Sequence, residues 1–136
     1  MTSTIFVDAD TLSSKKGHKL CFALQQEHEQ NGTKIVLMTD DGKINALSYV
    51  AKVKSDGYSF LSGVIHHNLF NCSTGSVHFW SNVETMFDTK DAQVITNKES
   101  AARKSKENGL DTFLISRKNT IEEAVQTLRV FQPVCA

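Results

Sequence analysis

Excess charge of either sign is missing from this chain, which sets 15 lysines and arginines against 15 aspartates and glutamates. No global field therefore steers it toward nucleic acid or an anionic membrane, and any contact with a polyanion must come from a local patch. Also missing are a signal peptide and any apolar run long enough to cross a bilayer, so no membrane partner is expected. Cys21, Cys72 and Cys135 show no metal-ligand spacing and leave an odd thiol over, which points to reduced cysteines in a cytoplasmic protein. Proline occurs only at Pro133, beyond the last expected helix, where it acts as a stop.

What is present is an alternation of apolar runs and helical patches over 136 residues, a length usual for one domain with its own core. Residues 4–8 read as a buried strand, and 15–30, KKGHKLCFALQQEHEQ, as a polar-faced helix that stops at Asn31 and Gly32. KIVLM at 34–38 repeats the strand pattern and ends in Thr39, Asp40, Asp41 and Gly42. Ile44, Leu47, Val50 and Ala51 then fall at helical spacing, giving a helix over about 43–54. Residues 55–75 mix aromatic and β-branched residues with Gly and Ser, and read as a short strand or helix within loops. SVHFW at 76–80 alternates like a strand, NVETMF at 82–87 suits a short helix, and AQVIT at 92–96 is another strand. Residues 98–108 read as a helix closed by Asn108 and Gly109 in a left-handed cap, followed by a strand, DTFLI, at 111–115. Ile121, Val125 and Leu128 mark a last helix over about 119–130. Apolar strands joined by segments of helical length imply a mainly parallel central sheet with right-handed crossovers and helices on both faces. The expected fold is a three-layer α/β sandwich of Rossmann-like class, a single domain spanning 1–136.

The stretch TIFVDADTL, residues 4–12, raises a chemical question, because it carries Asp8 and Asp10 straight out of an apolar strand. A carboxylate stripped of water costs several kcal/mol unless it is paired or holds a cation. Opening a turn or capping a helix is the bland role for either residue. In an open parallel sheet, however, ligands sit beyond the carboxyl ends of the strands, near the point where strand order reverses. The residues there are Asp8 and Asp10, Asp40 and Asp41, Ser81 and Asn82, Thr96 and Asn97, and Ser116. Four carboxylates in one crevice suit a hard cation such as Mg²⁺ or Mn²⁺, with Asp8, Asp10 and Asp40 as candidate metal ligands. Such an ion generates hydroxide and clamps charge during attack on a phosphate.

TIFVDAD and the later block DAQVITNKESAARKSKENGLDTFLISRKNTIEEAV resemble the first and last conserved blocks of the PIN-like nuclease superfamily, most of all the small bacterial YaiI/YqxD-type proteins. The resemblance covers about 45 residues in character. It implies a divalent-metal-dependent ribonuclease with Asp8 and Asp10 as catalytic, metal-binding carboxylates and Thr96 and Asn97 lining the substrate pocket. It also implies a middle acidic residue, for which Glu84 is the candidate. Where these families usually have an Asp after the Thr-Asn pair, this chain has Lys98, which cannot ligate a metal while protonated. A Lys98 that reached the pocket would substitute its own charge for a cation, and the domain would then be a non-catalytic binding or assembly module. RNA and a further copy of the chain stand as candidate partners.

IFVDADTL is similar, too, to the first motif of haloacid dehalogenase-type phosphatases. That likeness implies Asp8 as nucleophile, Asp10 as general acid and base, and Thr39 as the hydroxyl of the second motif. It assigns the required lysine to Lys90 and leaves Glu99 where that family places aspartates. Other features read as structural. His66 and His67, adjacent on a strand, would face opposite sides. Arg103, Lys104 and Lys106 form a solvated helix face diluted by Glu99 and Glu107. Phe79 and Trp80 belong to the core, and Cys72 has no catalytic partner by spacing.

Overall fold

Side chains alternate across a strand, so an unbroken apolar run is stable only where both faces of the sheet are covered. The computed structural model, which describes residues 3–128, places the two longest such runs side by side in the middle of a sheet. In chain order the elements are β1 (Thr4–Asp8), α1 (Ala9–Leu12), α2 (Gly17–Asn31), β2 (Lys34–Met38), α3 (Lys43–Ser55) and β3 (Leu61–Ile65). After them come α4 (His67–Phe70), α5 (Val77–Met86), β4 (Gln93–Thr96), α6 (Glu99–Glu107), β5 (Asp111–Leu114) and α7 (Ile121–Gln126). Among the described residues the strands form one sheet in the order β3-β2-β1-β4-β5, with every neighbouring pair parallel. This is the expected three-layer α/β, Rossmann-like class.

Burial follows the alternation. Ile5 and Val7 of β1, with Ile35 and Leu37 of β2, pack against Leu20 and Leu24 of α2, Val53 of α3 and Ile121 of α7. Phe6, Val36 and Met38 point to the other face and meet Phe79, Trp80 and Val83 of α5. Strand order reverses at β1, which has β2 on one side and β4 on the other, so the carboxyl ends of these three strands form the switch point beside which open parallel sheets bind ligands.

Helix ends match the local chemistry. Gly32 closes α2 at φ 67°, and Gly109 follows α6 at φ 85°, where its N–H donates to the Lys106 carbonyl at 2.9 Å. Both angles lie in the left-handed region that glycine enters without steric cost.

Three expectations change. SVHFW is not a strand: Ser76 caps α5, its hydroxyl accepting from the His78 N–H at 3.2 Å, and the helix runs on through Met86. A strand would have sent Phe79 and Trp80 to opposite faces, whereas both are fully buried with Val83 on one helical side. Ser81 and Asn82 consequently lie within α5 and not at a strand end. His66 and His67 are not on a strand either, since β3 ends at Ile65 and His66 precedes α4. Residues 55–75 hold both a strand and a helix. The last helix ends at Gln126 with Thr127 as its C-terminal cap, short of the expected span, and Pro133 and Cys135 lie outside the described residues. Among the described residues, no helix is long and apolar enough to cross a membrane.

Gly17 sits where α2 begins against the backbone that ends α1. A Cβ at this position would collide with the Leu12 carbonyl, a backbone group that cannot swing aside. Gly17→Ala is therefore expected to lower the unfolding free energy by at least about 2 kcal/mol, read from urea denaturation.

Candidate functional site

Asp8 is the last residue of β1 and is completely buried. Its Oδ1 accepts the Asp10 backbone N–H at 3.2 Å, which caps the short α1, and its Oδ2 accepts the Thr96 hydroxyl at 3.1 Å. The bland and the chemical roles thus coincide in one side chain. Thr96, at the end of the adjacent β4, is itself fixed, since its Oγ1 accepts the Lys98 backbone N–H at 3.1 Å. That bond sets the course of Lys98 at the start of α6, and the Lys98 side chain reaches back over the sheet.

Lys98 Nζ ends 3.1 Å from Asp40 Oδ2, 3.5 Å from Asp10 Oδ2 and 3.6 Å from Asp8 Oδ2. All three aspartates named as candidate metal ligands thus lie within 3.6 Å of the one ammonium. Asp40 is anchored from its other side: the Thr74 N–H donates to Oδ1 at 2.6 Å and the Thr74 hydroxyl to Oδ2 at 3.1 Å. Thr74 is held in turn by the core, because Trp80 Nε1 donates to its carbonyl at 2.7 Å. The neighbouring Asp41 accepts the Tyr49 hydroxyl at 2.6 Å, and the buried Thr39 hydroxyl accepts the Asp41 N–H at 3.0 Å.

These contacts set the charges. Burial pushes the Asp8 carboxyl above its usual 3.8, opposed by Lys98 and by the hydrogen bonds from Asp10 N–H and Thr96. Burial acts on Asp40 in the same sense, but Thr74 and Lys98 together outweigh it and hold Asp40 below 3.8. Lys98 is pulled down by burial and lifted more strongly by Asp8, Asp40 and Asp10, so it stays charged above 10.5.

Other residues named from the sequence do not join this cluster. Glu84 is exposed on the later half of α5 and makes no ion pair among the described residues. Asn97 faces solvent beside the buried Thr96. Lys90 precedes β4, at the opposite end of the sheet, where with Ser3, Asp91 and Asp111 it lines a separate cavity of about 340 Å³. It cannot serve the crevice, and the lysine that reaches Asp8 is Lys98. Glu99 is exposed at the first turn of α6. Thr74 and Tyr49 escaped sequence reading, because CSTGS and ALSYV carry no signal that ties them to an aspartate 34 and 8 residues away.

A divalent ion does not fit the residues as they stand. Among the described residues no three His, Cys, Asp or Glu side chains are placed to share a metal, and Lys98, which only donates, stands at the centre of the aspartates.

No protein-family model matches the chain, and neither does any curated protein. Solved structures do. An uncharacterised protein from Corynebacterium glutamicum aligns over 97% of this chain and 98% of its own, with a TM-score of 0.71 and 14% identity. The core domain of a protein from Streptococcus pneumoniae, provisionally named a phosphoglycolate phosphatase, aligns over 93% of this chain and 97% of its own, with a TM-score of 0.60 and 10% identity. At such identities the likeness is one of fold, an α/β Rossmann-like domain.

Two outcomes follow from this geometry. Trp80→Phe removes the buried donor to the Thr74 carbonyl, and is expected to cost about 1–3 kcal/mol in chemical denaturation while loosening the hold on Asp40. The second is a pH dependence. The Asp40 contribution, from a depressed pKa, is full above 3.8 and lost as pH falls through its lower folded value. That of Lys98, from a raised pKa, is full below 10.5 and lost as pH rises through its higher folded value. Asp8, also raised, works against Asp40 in acid, favouring the fold below 3.8 and losing that effect as it ionises. The stability advantage of the parent over Lys98→Met should shrink as pH falls through the raised Asp8 value, shrink further below 3.8 as Asp40 protonates, and shrink again above 10.5, as followed by thermal melts across pH.

Proposed function

We propose that this is a haloacid dehalogenase-like domain that handles a phosphoryl group in the crevice at the carboxyl ends of β1, β2 and β4. The observation that carries this reading is the placement of Asp8 and Asp10 at the end of the central strand, with the buried Thr39 hydroxyl at the end of its neighbour β2. A phosphatase-like neighbour among solved structures supports it at the level of fold.

In this reading an Asp8 carboxylate oxygen, which has to be uncovered first because the side chain is fully buried, attacks phosphorus of a phosphomonoester, the bond from phosphorus to the ester oxygen breaks, and Asp10 protonates the departing alkoxide. Water then attacks the aspartyl phosphate, Asp10 takes its proton, and phosphate leaves with Asp8 restored. The Thr39 oxygen already accepts from Asp41 N–H, which leaves the hydroxyl proton to give to a phosphoryl oxygen. Lys98 is the positive charge nearest the reacting groups.

A second reading, a non-catalytic binding or assembly module, is favoured by one feature: three carboxylates already surround the single ammonium, so the crevice keeps a negative balance that opposes a dianion. The ribonuclease reading has less support, since Glu84 stays on the surface and the aspartates enclose Lys98.

The test is release of p-nitrophenol from p-nitrophenyl phosphate by the parent and by Asp8→Asn, alongside incubation with a mixed-sequence RNA. Turnover slower than the typical enzyme rate of about 10 s⁻¹, and reduced at least about a hundredfold by Asp8→Asn, is expected. No Asp8-dependent turnover would leave the non-catalytic reading in place. Metal-dependent RNA cutting that Asp8→Asn abolishes would put the nuclease reading first.

A further inference from the structure

We propose that Lys98 is the resident cation of this site, a tethered ammonium that supplies in cis the positive charge that Asp8, Asp10 and Asp40 share. The inference goes beyond the phosphoryl reading and holds whether or not the domain turns over a phosphoester.

Three observations carry it. The first is convergence: carboxylate oxygens from the end of β1, the first turn of α1 and the loop after β2 lie 3.1–3.6 Å from one nitrogen, within ion-pair distance. The second is that the lysine is aimed. Its backbone N–H is tied to Thr96 Oγ1, the same oxygen that donates to Asp8, so one hydroxyl positions both the buried carboxylate and the residue that neutralises it. The third is that Asp40, which makes the shortest contact to Lys98, is itself oriented by two hydrogen bonds from Thr74. An ammonium lying loosely over an acidic patch would need neither support.

A divalent ion and the ammonium cannot share the point. Like charges a few ångströms apart repel, more strongly the less water screens them, and a doubly charged ion doubles the effect. An ion could enter only by expelling Lys98, whose tether keeps it at high local concentration. The crevice therefore has its cation supplied in cis. Removing that cation while keeping the aspartates should create a site for a free one.

The experiment is Mn²⁺ titration by calorimetry and thermal melts, with EDTA-treated controls, on the parent, Lys98→Met, Lys98→Gln and the double variant Lys98→Met with Asp40→Asn. For the parent, the expected result is no saturable Mn²⁺ binding and no change in melting temperature up to millimolar metal. Both single variants should melt lower than the parent in EDTA, bind about one ion, and regain several degrees with Mn²⁺ as binding to the native state alone requires. In the double variant, this recovery should be lost. Rescue of the Lys98 variants by a free cation is a response that a merely structural lysine would not give. Saturable Mn²⁺ binding by the parent would overturn the proposal, as would a Lys98 variant that is folded and indifferent to Mn²⁺. A variant too unstable to purify leaves the parent titration able to overturn it, and recovery of that variant only in Mn²⁺-containing medium would support it.

Discussion

Asp8 has no access to solvent, and the carboxyl end of the sheet is organised around that fact. A carboxylate so placed is tolerable only with hydrogen bonds on its oxygens and a cation close by. Each requirement is met by a different element: the first turn of α1 supplies an N–H, the end of β4 a hydroxyl, and the start of α6 an ammonium. Those elements come together because β1 is the central strand, so its end is the one place that its neighbours on both sides can reach. The same arrangement links site to core. Trp80, packed under the sheet, holds Thr74; Thr74 holds Asp40; and Asp40 makes the closest contact to Lys98.

Strand-end aspartates of this kind are compatible with two electrostatic solutions. A mobile divalent ion concentrates charge, exchanges with solvent and polarises water. A lysine contributes a single charge, only donates hydrogen bonds and cannot leave. Geometry here corresponds to the second solution, and it changes which neighbours matter. Thr96, expected to line a substrate pocket, spends its hydroxyl on Asp8 and the Lys98 backbone, and so belongs to the support of the ion pair. Asp41 sits beside the cluster but is engaged by Tyr49 from α3, which ties that helix to the crevice instead of adding a further charge to it.

Much of the fold was legible in the sequence because its signals are local. Continuous apolar runs at 4–8 and 34–38 require burial on both faces, and only a covered parallel sheet supplies it. Glycines at 32 and 109 take left-handed angles that other residues adopt only with strain, so they locate two helix ends. The misreading of 76–80 has an equally local cause. Val77 and Phe79 alternate with the polar Ser76 and His78, and five residues are too few to separate a period of two from one of 3.6 when Phe79 and Trp80 are adjacent. Only the packing of Phe79, Trp80 and Val83 on one side, beneath β1 and β2, decides for a helix.

Within the candidate site the division is the same. The amino-acid sequence by itself determined that carboxylates follow β1 and β2 and that a lysine follows β4, since the end of an apolar run is a property of neighbours along the chain. Tertiary structure alone decided which of them meet. Lys90 and Lys98 are both close to β4 in sequence, yet they lie at opposite ends of that strand, and a parallel sheet gathers only one end into the crevice. Glu84 was a plausible acid until α5 turned it to the surface, and Thr74 was an unremarked loop residue until a tryptophan six positions on fixed its carbonyl. Convergence of that kind depends on strand order, register and the reach of side chains across tens of residues, quantities that no local pattern encodes.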